Sequence, residues 1–307
     1  MRTSIYYIFI INLLLTAFLC VYGKDVNIAV IDTGIDPNHP QISGRLWVND
    51  KPATRKNYGV DFSSLNGQIN HQPIDKHGHG THIAGIIAKV NPNAKLHILK
   101  YYNPNADGYQ NLKATIRALK YAINIGVDII NYSSGGPEKS PEEQQLFELA
   151  KKKGILIISA AGNEFRNIDS PNGEGFYPAS YSYENIITVG ALDKSMNKVS
   201  SSNWGKKSVD IFAPGKKIKS SFPNYQIAEM TGTSQATAFV SAAVSLILEK
   251  KKFHSNYEKF LSTKNLLFQT GYQTSQLREI CLSSKALNIK ALRRKLSQGT
   301  SIKTASK

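Results

Sequence analysis

Short apolar, β-branched runs alternate with helix-patterned stretches through most of this 307-residue chain, and that alternation narrows the fold more than any other feature. Strand-like runs fall at 26–31, 95–100, 127–131, 155–160, 186–190 and 209–213, and helical patterns fill 80–89, 109–125, 142–153 and 234–250. Strands linked through helices by short connections give a parallel sheet covered by helices on both faces. A sheet buried on two faces needs a large apolar reserve, which 41% hydrophobic residues over this length supply. Glycine and proline contents of 22 and 12 are ordinary for such a domain and argue against disorder, collagen or a repeat array. After about residue 252 the pattern weakens, with candidate helices at 256–268 and 286–292 and an expected disordered, basic tail over 295–307.

In a parallel sheet the working groups collect at the carboxyl ends of the strands, and polar residues cluster there in four segments. Asp32 leaves the first strand in Ile31-Asp32-Thr33-Gly34-Ile35-Asp36; taken alone it reads first as a turn cap. His77-Gly78-His79-Gly80-Thr81-His82 gathers three histidines, but it lacks the i, i+4 pair of a helical zinc motif. Its small residues, with Ala84 and Gly85 beyond, let a helix start in close packing and hold one imidazole rigidly. Ile157-Ile158-Ser159-Ala160-Ala161-Gly162-Asn163 delivers an asparagine amide on a glycine turn. Met230-Thr231-Gly232-Thr233-Ser234 precedes an apolar helix, so Ser234 is either an N-cap or a nucleophile beside the helix dipole.

In the order Asp, His, Ser, these segments together resemble the subtilisin-like serine proteases. The matching stretches are DTGID at 32–36, HGTHIAG at 79–85, AAGNE at 160–164 and GTSQAT at 232–237. Softer matches lie at 46–49, 132–136 and 209–215, and the resemblance covers roughly residues 25–250, with 286–292 like the family's closing helix. It implies an α/β, subtilisin-like three-layer fold with a mainly parallel central sheet and helices on both faces, in a peptidase domain over 24–294. It implies a secreted serine endopeptidase that works through an acyl-enzyme, with Ser234 as nucleophile, His79 as base and Asp32 as its orienting partner. Asn163 and the Ser234 backbone N–H would bind the oxyanion. Segments 107–109 and 133–135 would pair with an extended substrate. Ser133, Ser134 and Gly135, with Ala160, Ala161 and Gly162, would line the pocket for the side chain before the cut. Their small size permits a large apolar side chain there and Glu164 near the rim would admit a basic one, two alternatives that stay open; His77 is expected to be exposed and His82 structural.

The chain departs from the family pattern in places. Gln235 and Ala238 replace the usual methionine and proline after the nucleophile, which puts local packing in question more than activity. The stretch from Ala88 to Lys95 is too short for the calcium loop common in the family, so no metal site and no required cofactor are expected. The first core strand follows the N-terminal segment at once, with no pro-domain expected between them, which leaves three alternatives: unaided folding, a separate folding or inhibitor chain, or a truncated gene sequence.

Thirty-eight Lys and Arg against 22 Asp and Glu give a formal charge of +16. The basic runs Lys151-Lys152-Lys153, Lys216-Lys217 and Lys250-Lys251-Lys252 are scattered and carry no nucleic-acid motif. They read as a solvated basic surface, with polypeptide substrates and no nucleic acid as partners and a monomer as the expected state. Arg2 followed by an apolar run through Leu19 reads as a secretory signal peptide over 1–23, with no stable membrane span after cleavage. An uncleaved anchor and lipidation at Cys20 stay as alternatives, the latter opposed by bulky Leu19. Removal of that segment leaves one thiol, Cys281, expected to be buried and inert.

Overall fold

The computed structural model describes residues 24–47, 58–170, 175–298 of the chain; the candidate signal peptide, Cys20 and residues 299–307 of the expected tail lie outside them. In chain order the elements are β1 (Asn27–Asp32), β2 (Gly59–Asp61), α1 (His79–Val90), β3 (Lys95–Lys100), α2 (Gly108–Ile125), β4 (Ile129–Tyr132), α3 (Pro141–Lys152) and β5 (Leu156–Ala160). There follow β6 (Ile186–Leu192), β7 (Ile211–Pro214), β8 (Ile218–Phe222), β9 (Gln226–Met230), α4 (Thr233–Lys250), α5 (Asn256–Thr270), β10 (Tyr272–Gln273), β11 (Lys285–Ala286) and α6 (Ile289–Gln298). Nine strands form one sheet in the order β10-β11-β7-β6-β5-β4-β1-β3-β2, and β8 and β9 make a separate antiparallel hairpin. Within the large sheet only the β10–β11 pair is antiparallel.

Alternation along β1 shows why the sheet needs cover on both faces. Ile28 and Val30 join a core with Ile83, Ile87, Ala236 and Val240 of α1 and α4. Ala29 and Ile31, one residue out of phase, join the opposite core with Ala118, Leu119 and Phe147 of α2 and α3. The expected three-layer α/β architecture is therefore present. Strand register then fixes the site: Ile31 pairs with Tyr132, and Tyr132 with Ser159, so β1, β4 and β5 release their next residues at one edge.

Two boundaries need correction. The expected helix at 286–292 begins as strand β11, and the helix proper runs from Ile289 to Gln298. The expected domain end at 294 thus falls inside α6, because Leu292 and Leu296 are both buried against the core and carry the helix past that point. Between α1 and β3 the chain passes through Asn91, whose side-chain amide donates to Ser245 Oγ, without any longer loop.

Leu119→Ala empties a fully buried position under the sheet and should destabilise the protein by about 2–5 kcal/mol. Lys120→Ala, on the exposed side of the same helix, should stay within about 0.5 kcal/mol; urea denaturation measures both.

Candidate active site

His79 is the first residue of α1, and two glycines around it let the helix start where it does. Gly78 takes φ +97°, which a side chain would strain, and a Cβ on Gly80 would lie 2.2 Å from the Gly34 carbonyl. The helix start is thereby pressed against the turn that follows β1. There His79 Nδ1 meets Asp32 Oδ1 at 2.7 Å, and the same oxygen accepts the Thr33 N–H at 2.8 Å. Burial alone would push the His79 pKa down, but the charge and hydrogen bond of Asp32, helped by Asp75, leave it above its ordinary value.

Asp75 holds this junction together. Its Oδ1 accepts from Thr33 Oγ1 and from the backbone N–H groups of His77 and Gly78; its Oδ2 accepts from the N–H and hydroxyl of Thr81. Thr33 Oγ1 in turn accepts the Gly80 N–H at 2.8 Å. Burial pushes the Asp75 pKa up, yet those donors outweigh it and hold the carboxyl below its ordinary value. The other histidines go separate ways. His77 is exposed, edge-on to Tyr102, while buried His82 donates through Nε2 to the carbonyls of Ile218 and Ala228. Among the described residues no group of three or more His, Cys, Asp or Glu is gathered as for a metal ion.

Ser234 is the second residue of α4, inside the turn whose N–H groups lack helical acceptors. Its hydroxyl donates to the Ser133 carbonyl at 3.2 Å, and no hydrogen bond joins it to His79. Ser133 directly follows β4, so this contact sets Ser234 beside the end of β1 and Asp32. Asn163 lies just beyond β5, where its Oδ1 accepts from the N–H and hydroxyl of Thr233, at 2.9 and 3.3 Å. That leaves the Nδ2 end of an exposed side chain free to donate. The Asn163 turn is braced by Asn203, which bonds Ala161 O and Glu164 Oε2 through Nδ2 and accepts the Glu164 and Arg166 N–H groups.

Of the expected pocket wall, Ser133 and Ser134 are half-buried and Gly135 exposed, whereas Ala160, Ala161 and Gly162 are all buried. Beside Ser134 and Gly135 opens a cavity of about 550 Å³, lined by Tyr101, Tyr109, Tyr132, Tyr177 and Glu143 among others. Burial pushes the Glu143 carboxyl up, and the Tyr132 hydroxyl donates to it at 2.5 Å.

A profile of the subtilase family (Peptidase_S8) matches residues 23–298. The chain belongs to the subtilase family. It is a subtilisin-like serine peptidase by class, and its relatives carry that description. The major intracellular serine protease of Bacillus subtilis (strain 168) is 34% identical over 84% of this subtilase and 78% of its own length. Subtilisin BL of Lederbergia lenta is 32% identical over 81% and 86%. Among solved structures, a lanthipeptide protease superposes with a TM-score of 0.71 at 21% identity, over 92% of this chain and 91% of that one. The epidermin leader peptide processing serine protease of Staphylococcus aureus gives 0.71 at 24% identity, over 91% and 78%. At those identities the superpositions show the fold alone.

The structure of this subtilase brings Asp32 and His79 into contact and collects Ser234 and Asn163 through Ser133 and Thr233 at the same sheet edge. Sequence reasoning missed Asp75 and Asn203. Asp75 had a local signal, an Asp-x-x-Gly turn ahead of the helix; Asn203 had none. Asp75→Asn puts an NH₂ group against buried donors, so it should cost about 1–3 kcal/mol for each donor left unpaired. Thermal unfolding at neutral pH, compared with wild type, measures the loss.

Proposed function

We propose that this subtilase is a secreted serine endopeptidase that hydrolyses peptide bonds through an acyl-enzyme on Ser234. The observation that carries the reading is the 2.7 Å contact between His79 Nδ1 and Asp32 Oδ1 at the sheet edge shared with Ser234 and Asn163. With Asp32 accepting the Nδ1 proton, His79 keeps Nε2 as the base. The Ser234 hydroxyl rests on Ser133 O, and substrate binding would turn it toward His79; such contacts commonly tighten only in the complex. Ser234 Oγ then attacks the scissile carbonyl while His79 takes its proton. Asn163 Nδ2 and the Ser234 N–H receive the oxyanion. His79 returns the proton to the leaving amine, and a water repeats the sequence on the ester. These steps use side-chain and backbone groups only, so the proposal includes no cofactor.

Polypeptides are the substrates in this reading, held in extended form along 133–135. Secretion rests on the apolar segment behind Arg2. The relatives do not supply it, since one of them is named as intracellular. No described helix is long and apolar enough to cross a membrane. N-terminal sequencing of protein from the culture medium tests secretion, and retention of the intact chain inside cells would overturn it.

A fluorophosphonate probe should label the wild type at Ser234, and Ser234→Ala should lose both the label and about 10⁴-fold or more of peptide hydrolysis. Unchanged hydrolysis in that variant would end the reading. The raised His79 pKa sets the pH dependence. A base must be neutral, so kcat/KM should climb with pH through an acid limb centred above 6.5. Asp32→Asn removes the charge that raises it, so the residual activity should titrate at lower pH.

A further inference from the structure

An aromatic ring packs beside the buried wall of Ala161 and Gly162. Phe176, in the loop before β6, lies between the two walls expected to bound the pocket for the side chain before the cut. A Cβ on Gly135 would sit 2.4 Å from Phe176 Cε1, and a Cβ on Gly162 would sit 3.0 Å from its Cδ1. The ring therefore touches one wall and the other at once. It is 7% exposed and packs in one apolar cluster with Ala161, Ile168 and Ala179. Its backbone is fixed on both sides: the Phe176 N–H donates to Ser180 Oγ, and its carbonyl accepts the Ser180 N–H. The Tyr177 N–H and carbonyl pair with Gly136 beside it. The ring belongs to the apolar core of the loop.

Resting on the peptidase reading above, we infer that Phe176 fills the pocket for the residue before the scissile bond, so that this enzyme selects small side chains, alanine, serine or glycine, at that position. This departs from both alternatives drawn from the walls, a large apolar side chain or a basic one beside Glu164. At Gly135 and Gly162 a side chain would collide with the ring that occupies the space between them. A leucine or phenylalanine of the substrate would have to displace a buried ring, while an alanine methyl needs no such room. Phe176 is thus a specificity-determining residue that the position of the walls in the sequence does not reveal.

The test uses peptides identical except for alanine, leucine or phenylalanine before the cleaved bond, and peptidyl phosphonates of the same three sequences as inactivators. Wild type should favour alanine over phenylalanine by about tenfold or more in kcat/KM and in inactivation rate. Phe176→Ala should raise the phenylalanine values by about tenfold or more and change the alanine values little. Phe176→Leu, which keeps the loop core apolar, should fall between the two and covers the case in which the alanine variant does not fold. Equal rates for alanine and phenylalanine in wild type, or an unchanged ratio in the folded variants, overturn the inference. Labelling of Ser234 by a small fluorophosphonate is read in parallel. Its absence in wild type would overturn the peptidase reading and the inference with it, whereas labelling with the wrong preference overturns the inference alone.

Discussion

The buried carboxylate of Asp75 is the contact on which the arrangement of the site depends. Asp32 ends a strand and His79 begins a helix, and their own 2.7 Å contact is braced from below. Asp75 reaches both, through Thr33 on one side and through the first turn of α1 on the other. An isolated buried carboxylate would cost several kcal/mol, of the order found for an unpaired charge in a protein interior; five donors offset that cost here. The close approach of Gly80 to Gly34 works in the same direction by sterics. Electrostatics and packing thus define a single placement for the imidazole.

The sheet supplies the rest of the geometry. Parallel pairing of β1, β4 and β5 brings Asp32, Ser133 and the Asn163 turn to one edge without any loop having to span the domain. Helix α4 arrives at that edge with its N-terminus, so its free N–H groups face the same place as the asparagine amide. Loops after the strands can then shape the pocket while these positions stay fixed.

How much of this was legible in the sequence follows from what each residue's neighbours are. The core strands were legible because burial on both faces demands continuous β-branched runs, as in Ile28–Ile31 and Leu156–Ile158. Helices α1 to α4 showed their apolar stripes. Strand β2, three residues long, and the two-residue β10 and β11 are too short to make a pattern. Hairpin β8–β9 lies outside the large sheet and packs on α1 through β8, burying Ser220 and Ser221, so it carries no continuous apolar run. Asp32, His79, Asn163 and Ser234 could be placed from motifs, since each sits at the end of an element. Asp75 and Asn203 act through donors drawn from distant segments, and Phe176 through a gap that exists only after folding. No local pattern records such relations.

The hydrogen bonds of His82 carry a mechanical consequence. One imidazole N–H is shared between Ile218 and Ala228, on the two strands of the hairpin, and Ser220 returns a bond to the His82 carbonyl. The imidazole stands on α1, the helix that begins with His79, and the hairpin runs directly into the helix that carries Ser234. His82 therefore straps the carrier of the proposed base to the segment that feeds the proposed nucleophile. The two are kept in one rigid body without drawing on any bond between themselves. The Ser234 hydroxyl can then rest on the Ser133 carbonyl, as it does here, while the hairpin holds the two helices together.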